Sequence, residues 1–190
     1  MSLYTIREAA DLIAATTPSY DAERVYQRLR TLVQSNKLQP QDNLGPKAGA
    51  RLTLEAVCIA RIILLVLDVG ITAGGTDLFV AQIRAISART VHGKEFSLRA
   101  AITDLQKETL DQWFLHVAFG RDREELDFSA RVVVQKTLND NAGLPYYRYW
   151  GGHAWVDPYA MPSDSQSVVE GVLLISLNSM LIPVLRHAGG

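Results

Sequence analysis

Residues 19–53 read SYDAERVYQRLRTLVQSNKLQPQDNLGPKAGARLT. They predict a basic amphipathic helix over residues 20–35 and a hairpin over residues 37–53. Ser19 or Asp21 can cap the helix start, because a short side-chain oxygen satisfies amides that have no partner within the helix. Ala22, Val25, Leu29, Leu32 and Val33 recur at helical spacing and form one apolar stripe. Arg24, Gln27 and Thr31 point the other way, flanked by Arg28 and Arg30. That outward set suits nucleic acid: arginine forks onto phosphate or guanine, and glutamine onto adenine. A solvated surface helix carries similar charges, so the neighbouring segments have to decide.

Upstream, LYTIREAADLIAA (residues 3–15) predicts a shorter helix. Thr5 with Glu8 three residues later is the capping-box pattern. Ile6, Ala9, Ala10 and Ile13 make its apolar stripe, and Pro18 closes the segment. Two short helices joined by a tight turn, the second outwardly basic, make a helix-turn-helix arrangement. Downstream, Pro40, Gly45, Pro46 and Gly49 exclude a continuous helix. The ends KLQP and ARLT can pair as two short strands, a wing whose tip carries Lys47. Lys47 and Arg51 would hold the phosphate backbone, which positions a protein on a duplex without reading it. An ordinary surface loop would have the same composition.

Thr53 caps a third predicted helix, TLEAVCIARIILLVLD. Its charges, Glu55, Arg61 and Asp68, are too few for a wide polar face. A helix apolar nearly all round needs cover nearly all round. The rest of the chain or a second subunit must supply it, and this points to a homodimer. VGITAGG breaks the helix, and a fourth is expected over residues 76–89, ended by His92 and Gly93.

The order TIREAADLI, turn, basic helix, glycine-containing wing closing on AGARLT, LTLEAV helix and DVGIT break resembles the MerR-type winged helix-turn-helix family. The resemblance covers roughly residues 3–88. It implies a sequence-specific, dimeric DNA-binding regulator acting on double-stranded DNA. Three features depart from that family. The second helix opens DAERVYQRLR rather than with a leucine-arginine-tyrosine-tyrosine signature. Residues 90–190 hold no sustained heptads for a dimerising coiled coil. One cysteine is too few for the family's metal sensors. A phage-type excisionase or another compact DNA-binding module fits the first half equally well.

The second half predicts a small α+β domain. Residues 97–112 read as a helix capped by Ser97. WFLHVAF, ARVVVQKT and residues 168–177 read as strands. Asn178 is placed to cap a closing helix that Pro183 would kink or shorten. Residues 139–162 have neither period, yet hold six of the chain's fifteen aromatics. Tyr146, Tyr147, Tyr149, Trp150 and Trp155 suit a partner surface or a ligand pocket, or else they plug the base of the domain.

Composition limits the alternatives. The chain has 190 residues, is 48% hydrophobic and carries a net charge of −1, so it can build a core and is not globally basic. Residues 1–61 hold eight Lys/Arg against six Asp/Glu, and residues 111–190 hold six against nine. The single cysteine, Cys58, excludes an internal disulfide and a multi-cysteine zinc site. His92, His116, His153 and His187 lack metal-ligand spacing, so no metal or cofactor is expected. GITAGGTD lacks the Gly-Lys-Ser/Thr ending of a phosphate loop, and no serine sits in a nucleophile elbow, so no enzyme is expected. With no leader and no uncharged run of membrane length, the expected location is cytoplasmic.

The expected architecture is therefore α+β. Residues 1–90 form a winged helix-turn-helix with extra helices, and residues 91–190 form a smaller domain for dimerisation or sensing. Arg24, Gln27, Arg28, Thr31, Lys47 and Arg51 are the expected DNA contacts. Two other classes stay open: a protein-interaction adaptor on a winged-helix scaffold, and a ligand-binding C-terminal domain coupled to it.

Overall fold

A computed structural model of the chain describes residues 2–43, 49–69, 77, 79–81, 83, 89–91, 94–96, 98–107, 112–122, 128–137 and 167–189. The fold mixes helices with short antiparallel sheets, as the α+β expectation requires. It divides into two compact units, Met1–Thr72 with Ser179–Gly190, and Ala73–Asn178. The expected boundary near residue 90 falls inside the second unit, and the end of the chain returns to the first.

The first unit opens with strand β1 (Leu3–Thr5), where a longer helix was expected. Thr5 then starts helix α1 (Ile6–Ala15) with a full capping box. Its backbone amide donates to Glu8 Oε2 at 2.7 Å, and the Glu8 amide donates to Thr5 Oγ1 at 3.2 Å. Helix α2 (Ala22–Gln34) is capped by Asp21, which settles the choice left open with Ser19. Its Oδ1 accepts from the Arg24 amide at 2.9 Å. Helix α1 packs against α2, burying Ala9, Ala10 and Ile13 from the first and Val25, Leu29 and Leu32 from the second.

The wing differs from the expected pairing of KLQP with ARLT. Strand β2 (Asp42–Asn43) pairs with β3 (Ala50–Thr53), and β3 also pairs with β1, giving the order β1-β3-β2. The physical reason lies at the end of α2. Asn36 adopts the left-handed region at φ 56, the amide of Asn36 donates to the Val33 carbonyl, and that of Lys37 donates to Leu32. This paired closure of free carbonyls is a Schellman turn. The Leu38 amide also donates to the Leu32 carbonyl at 3.0 Å, so the backbone of Lys37 and Leu38 closes α2 and is not extended beside β3, and Leu38 is buried, 2% exposed. Gly49 also takes a positive φ, 72°, just before β3 begins.

Thr53 caps α3 (Leu54–Asp68), accepting from the Ala56 amide at 3.0 Å. Ala56, Val57, Cys58, Ala60, Ile62, Ile63, Leu64 and Val66 are all buried within the single chain. Most of the apolar surplus that pointed to a second subunit is therefore covered, with Leu54, Ile59, Leu65 and Leu67 partly exposed. Val69, beyond the helix, is the only large hydrophobic side chain exposed among the described residues.

In the second unit, Asp77, Phe79, Val80, Ala81 and Ile83 are helical, within the expected fourth helix. That helix does not reach Arg89, which opens strand β4 (Arg89–Val91), paired with β5 (Lys94–Phe96). Helix α4 (Leu98–Gln106) ends sooner than expected. Strands β6 (Gln112–Asp122), β7 (Phe128–Thr137) and β8 (Ser167–Ser176) form an antiparallel sheet with β6 in the middle. The closing helix α5 (Leu177–Gly189), whose residues from Ser179 belong to the first unit, continues through Pro183, so proline does not shorten it. Pro183 is exposed. Asn178 lies inside this helix and does not cap it. Its Oδ1 accepts from the Trp113 amide at 2.6 Å, a contact within the second unit.

Candidate nucleic-acid interface

Helix α2 sets the geometry of the site. At about 100° per residue, Arg24, Gln27 and Thr31 cluster opposite the Val25–Leu29–Leu32 stripe, and Arg28 falls about 40° from Arg24 toward the buried side. Burial follows that wheel. Arg24, Gln27, Arg30 and Thr31 are exposed, while Arg28 is intermediate. Arg51 is exposed on β3 beside fully buried Leu52, because neighbouring strand residues face opposite ways. In register, Arg51 lies opposite Thr5 on β1 and Asp42 on β2. Lys47 and the aromatic set Tyr146, Tyr147, Tyr149, Trp150 and Trp155 lie outside the described residues.

The expected contacts differ in how far they are already engaged. Gln27 Nε2 donates to Glu23 Oε1 at 2.8 Å, and the Thr31 hydroxyl donates back to the Gln27 carbonyl at 3.0 Å. Both are single surface contacts that water or a base edge can replace at small cost. Arg28 is held more firmly. Its Nη1 donates to Asp68 Oδ1 at 2.8 Å, and only 24% of its side chain is exposed.

The other Asp68 oxygen accepts the Tyr20 hydroxyl. Arg61 lies behind, its guanidinium 4.9 Å from the Tyr20 ring centroid and its Nη1 donating to the Tyr20 oxygen at 3.4 Å. This chain of contacts ties the start of α2 to the end of α3. Sequence reasoning counted Asp68 and Arg61 only as stray charges and passed over Tyr20. One signal was present: a carboxylate at a helix C-terminus opposes the macrodipole and needs cations or donors beside it.

The titration behaviour reflects the same contacts. Burial pushes the Tyr20 hydroxyl up, reinforced by its bond to Asp68, to about 12. Burial alone would raise the Asp68 carboxyl. Hydrogen bonds from Tyr20 and Arg28, with the charges of Arg28 and Arg24, outweigh it and hold the group below its ordinary value.

A concavity of about 290 Å³ opens at the start of α2, lined by Tyr20, Asp21, Arg24, Arg28 and Asp68 over Val25. Its two arginines and two carboxylates offset each other, so it is not a free anion well.

A second tie joins α1 to α2. Arg7 Nη2 donates to Glu23 Oε2 at 2.8 Å, and its guanidinium lies 3.9 Å from the Tyr26 ring centroid. Both partners of the ion pair are well exposed, so it orients more than it stabilises.

Cys58 is fully buried, and burial pushes its thiol up to about 12, which suits a packing role. Among the described residues, no three His, Cys, Asp or Glu side chains gather where they could hold a metal ion. None of the described helices is long and apolar enough to cross a membrane. No protein-family model, curated protein or solved structure matches the chain.

Proposed function

We propose that the first unit is a winged helix-turn-helix that binds double-stranded DNA, with α2 in the major groove and the β2–β3 hairpin on the backbone. The observation that carries this reading is the exposed row of Arg24, Gln27 and Thr31 on α2, followed in the chain by a hairpin that ends in exposed Arg51. The order β1-α1-α2-β2-β3-α3, with α1 packed on α2 and β3 between β1 and β2, supports it. The reader set is narrower than the sequence alone suggested. Arg24, Gln27 and Thr31 face out, with Arg30 on the flank, whereas Arg28 is committed to Asp68.

The regulator would act as a cytoplasmic homodimer on half-sites about one helical turn apart. Most apolar residues of α3 are buried within one chain, which leaves only the partly exposed Leu54, Ile59, Leu65 and Leu67 of that helix for a dimer contact. The test is selection of bound duplexes from a random library. A recurring half-site, lost in Arg24→Ala, supports the reading. Recovery of unenriched sequence contradicts it.

A further inference from the structure

The charges around Arg28 bear on how tightly α2 can hold a duplex. Asp68 spends both oxygens there, one on Tyr20 and one on Arg28. It closes α3, where a carboxylate is disfavoured by the helix macrodipole, and it is held there by the Tyr20 hydroxyl and by Arg28, with Arg24 nearby. Arg24 and Arg28 share one concavity with it and with Asp21. A backbone phosphate approaching this end of α2 meets one guanidinium, Arg28, already paired, beside an exposed Arg24 that lies in the field of Asp68. Arg28, three-quarters covered, can reach outward only by loosening its bond to Asp68.

We infer that Asp68 is a built-in brake on nucleic-acid binding by α2: its carboxylate competes with DNA phosphate for Arg28 and weakens the pull of Arg24. This rests on the DNA-binding reading above. It assigns Asp68 to setting affinity, with no contact to bases. The competition is reciprocal, since whatever strengthens the Arg28–Asp68 pair in the free protein must be given up on the duplex.

The experiment measures duplex affinity by fluorescence anisotropy across a salt series for the full chain, using a labelled mixed-sequence duplex. The proteins are wild type, Asp68→Asn, Arg28→Ala and the double variant. Asp68→Asn should bind about twofold to fivefold tighter, in keeping with one partly exposed ion pair. Its salt slope should steepen by about 0.9, the signature of one further phosphate contact. Most of the gain should vanish in the Arg28→Ala background.

Unchanged or weaker binding by a folded Asp68→Asn, with wild type binding normally, overturns the brake and makes Asp68 a support for Arg28. Absence of salt-dependent binding by both proteins removes the DNA-binding reading and the brake with it. Circular dichroism melts check folding. If Asn is not tolerated, Asp68→Ser removes the same charge and is judged by the same outcomes.

Discussion

Replacing Leu29 by alanine tests whether α2 is held from its inner face while its outer face is left free for a partner. Leu29 is completely buried at the centre of the stripe that meets α1. The change deletes three carbons, worth about 0.8 kcal/mol each in transfer, or roughly 2.4 kcal/mol. The cavity left behind adds to this, because a close-packed core relaxes only in part, and the total should reach about 3–4 kcal/mol. With a urea slope of about 1–3 kcal/mol/M, the unfolding midpoint should fall by at least 1 M. The assay is urea unfolding of the full chain followed by the helical circular dichroism signal. Thr31→Ala is the matched outward change, removing only an exposed hydroxyl bonded to the Gln27 carbonyl. It should shift stability by no more than about 0.5 kcal/mol. A cost under about 1 kcal/mol for Leu29→Ala, or equal costs for the two variants, would refute the assignment of faces.

Asp21→Ala should cost about 1 kcal/mol, because its side chain satisfies the Arg24 amide at the helix start, and thermal unfolding would detect it. Arg24→Ala should leave the melting temperature nearly unchanged yet weaken specific duplex binding by about 1–3 kcal/mol in a titration against the selected site. Cys58 should resist thiol reagents in native protein at pH 8 and label only as fast as the chain opens, since it is buried with its thiol pushed up to about 12. Acid should destabilise the fold through Asp68 and Glu8, both held below their ordinary values of 3.8 and 4.5 in the folded state. Their stabilisation is complete above those ordinary values and is lost as pH falls through the folded ones. Melting temperature should therefore hold from pH 7 to 5 and drop below about pH 4, with a shallower drop in Asp68→Asn.

Local chemistry with a fixed spacing was readable from sequence. Thr5 with Glu8 specified the start of α1, Thr53 marked the start of α3, and the Val25–Leu29–Leu32 stripe gave the buried face of α2. Valine-rich β7 and the strand through Trp113 also followed from pattern. Features that depend on partners far along the chain did not. β1 has only three residues and exists because β3 lies beside it. KLQP looked strand-like until the left-handed Asn36 turned Leu38 inward. Arg89 continued a helical pattern but pairs with Phe96 across a hairpin. Asn178 had the chemistry of a cap, yet it bonds an amide 65 residues away.

The site divides along the same line. Exposure of Arg24, Gln27 and Thr31 follows from the wheel of a single helix. The withdrawal of Arg28 depends on Asp68, 40 residues later, and on Tyr20 at the helix start. How much of α3 the rest of its own chain covers was likewise not readable from the composition of that one helix.

The proposed duplex binding through exposed arginines of the first unit is tested most directly by the affinity of the full chain for a mixed-sequence duplex as salt is raised. Binding at low ionic strength should fall linearly in log K against log salt, with a slope of about −0.9 for each phosphate contacted, and the slope should be shallower for Arg51→Ala. No binding at low ionic strength, or binding indifferent to salt, would contradict the DNA-binding reading.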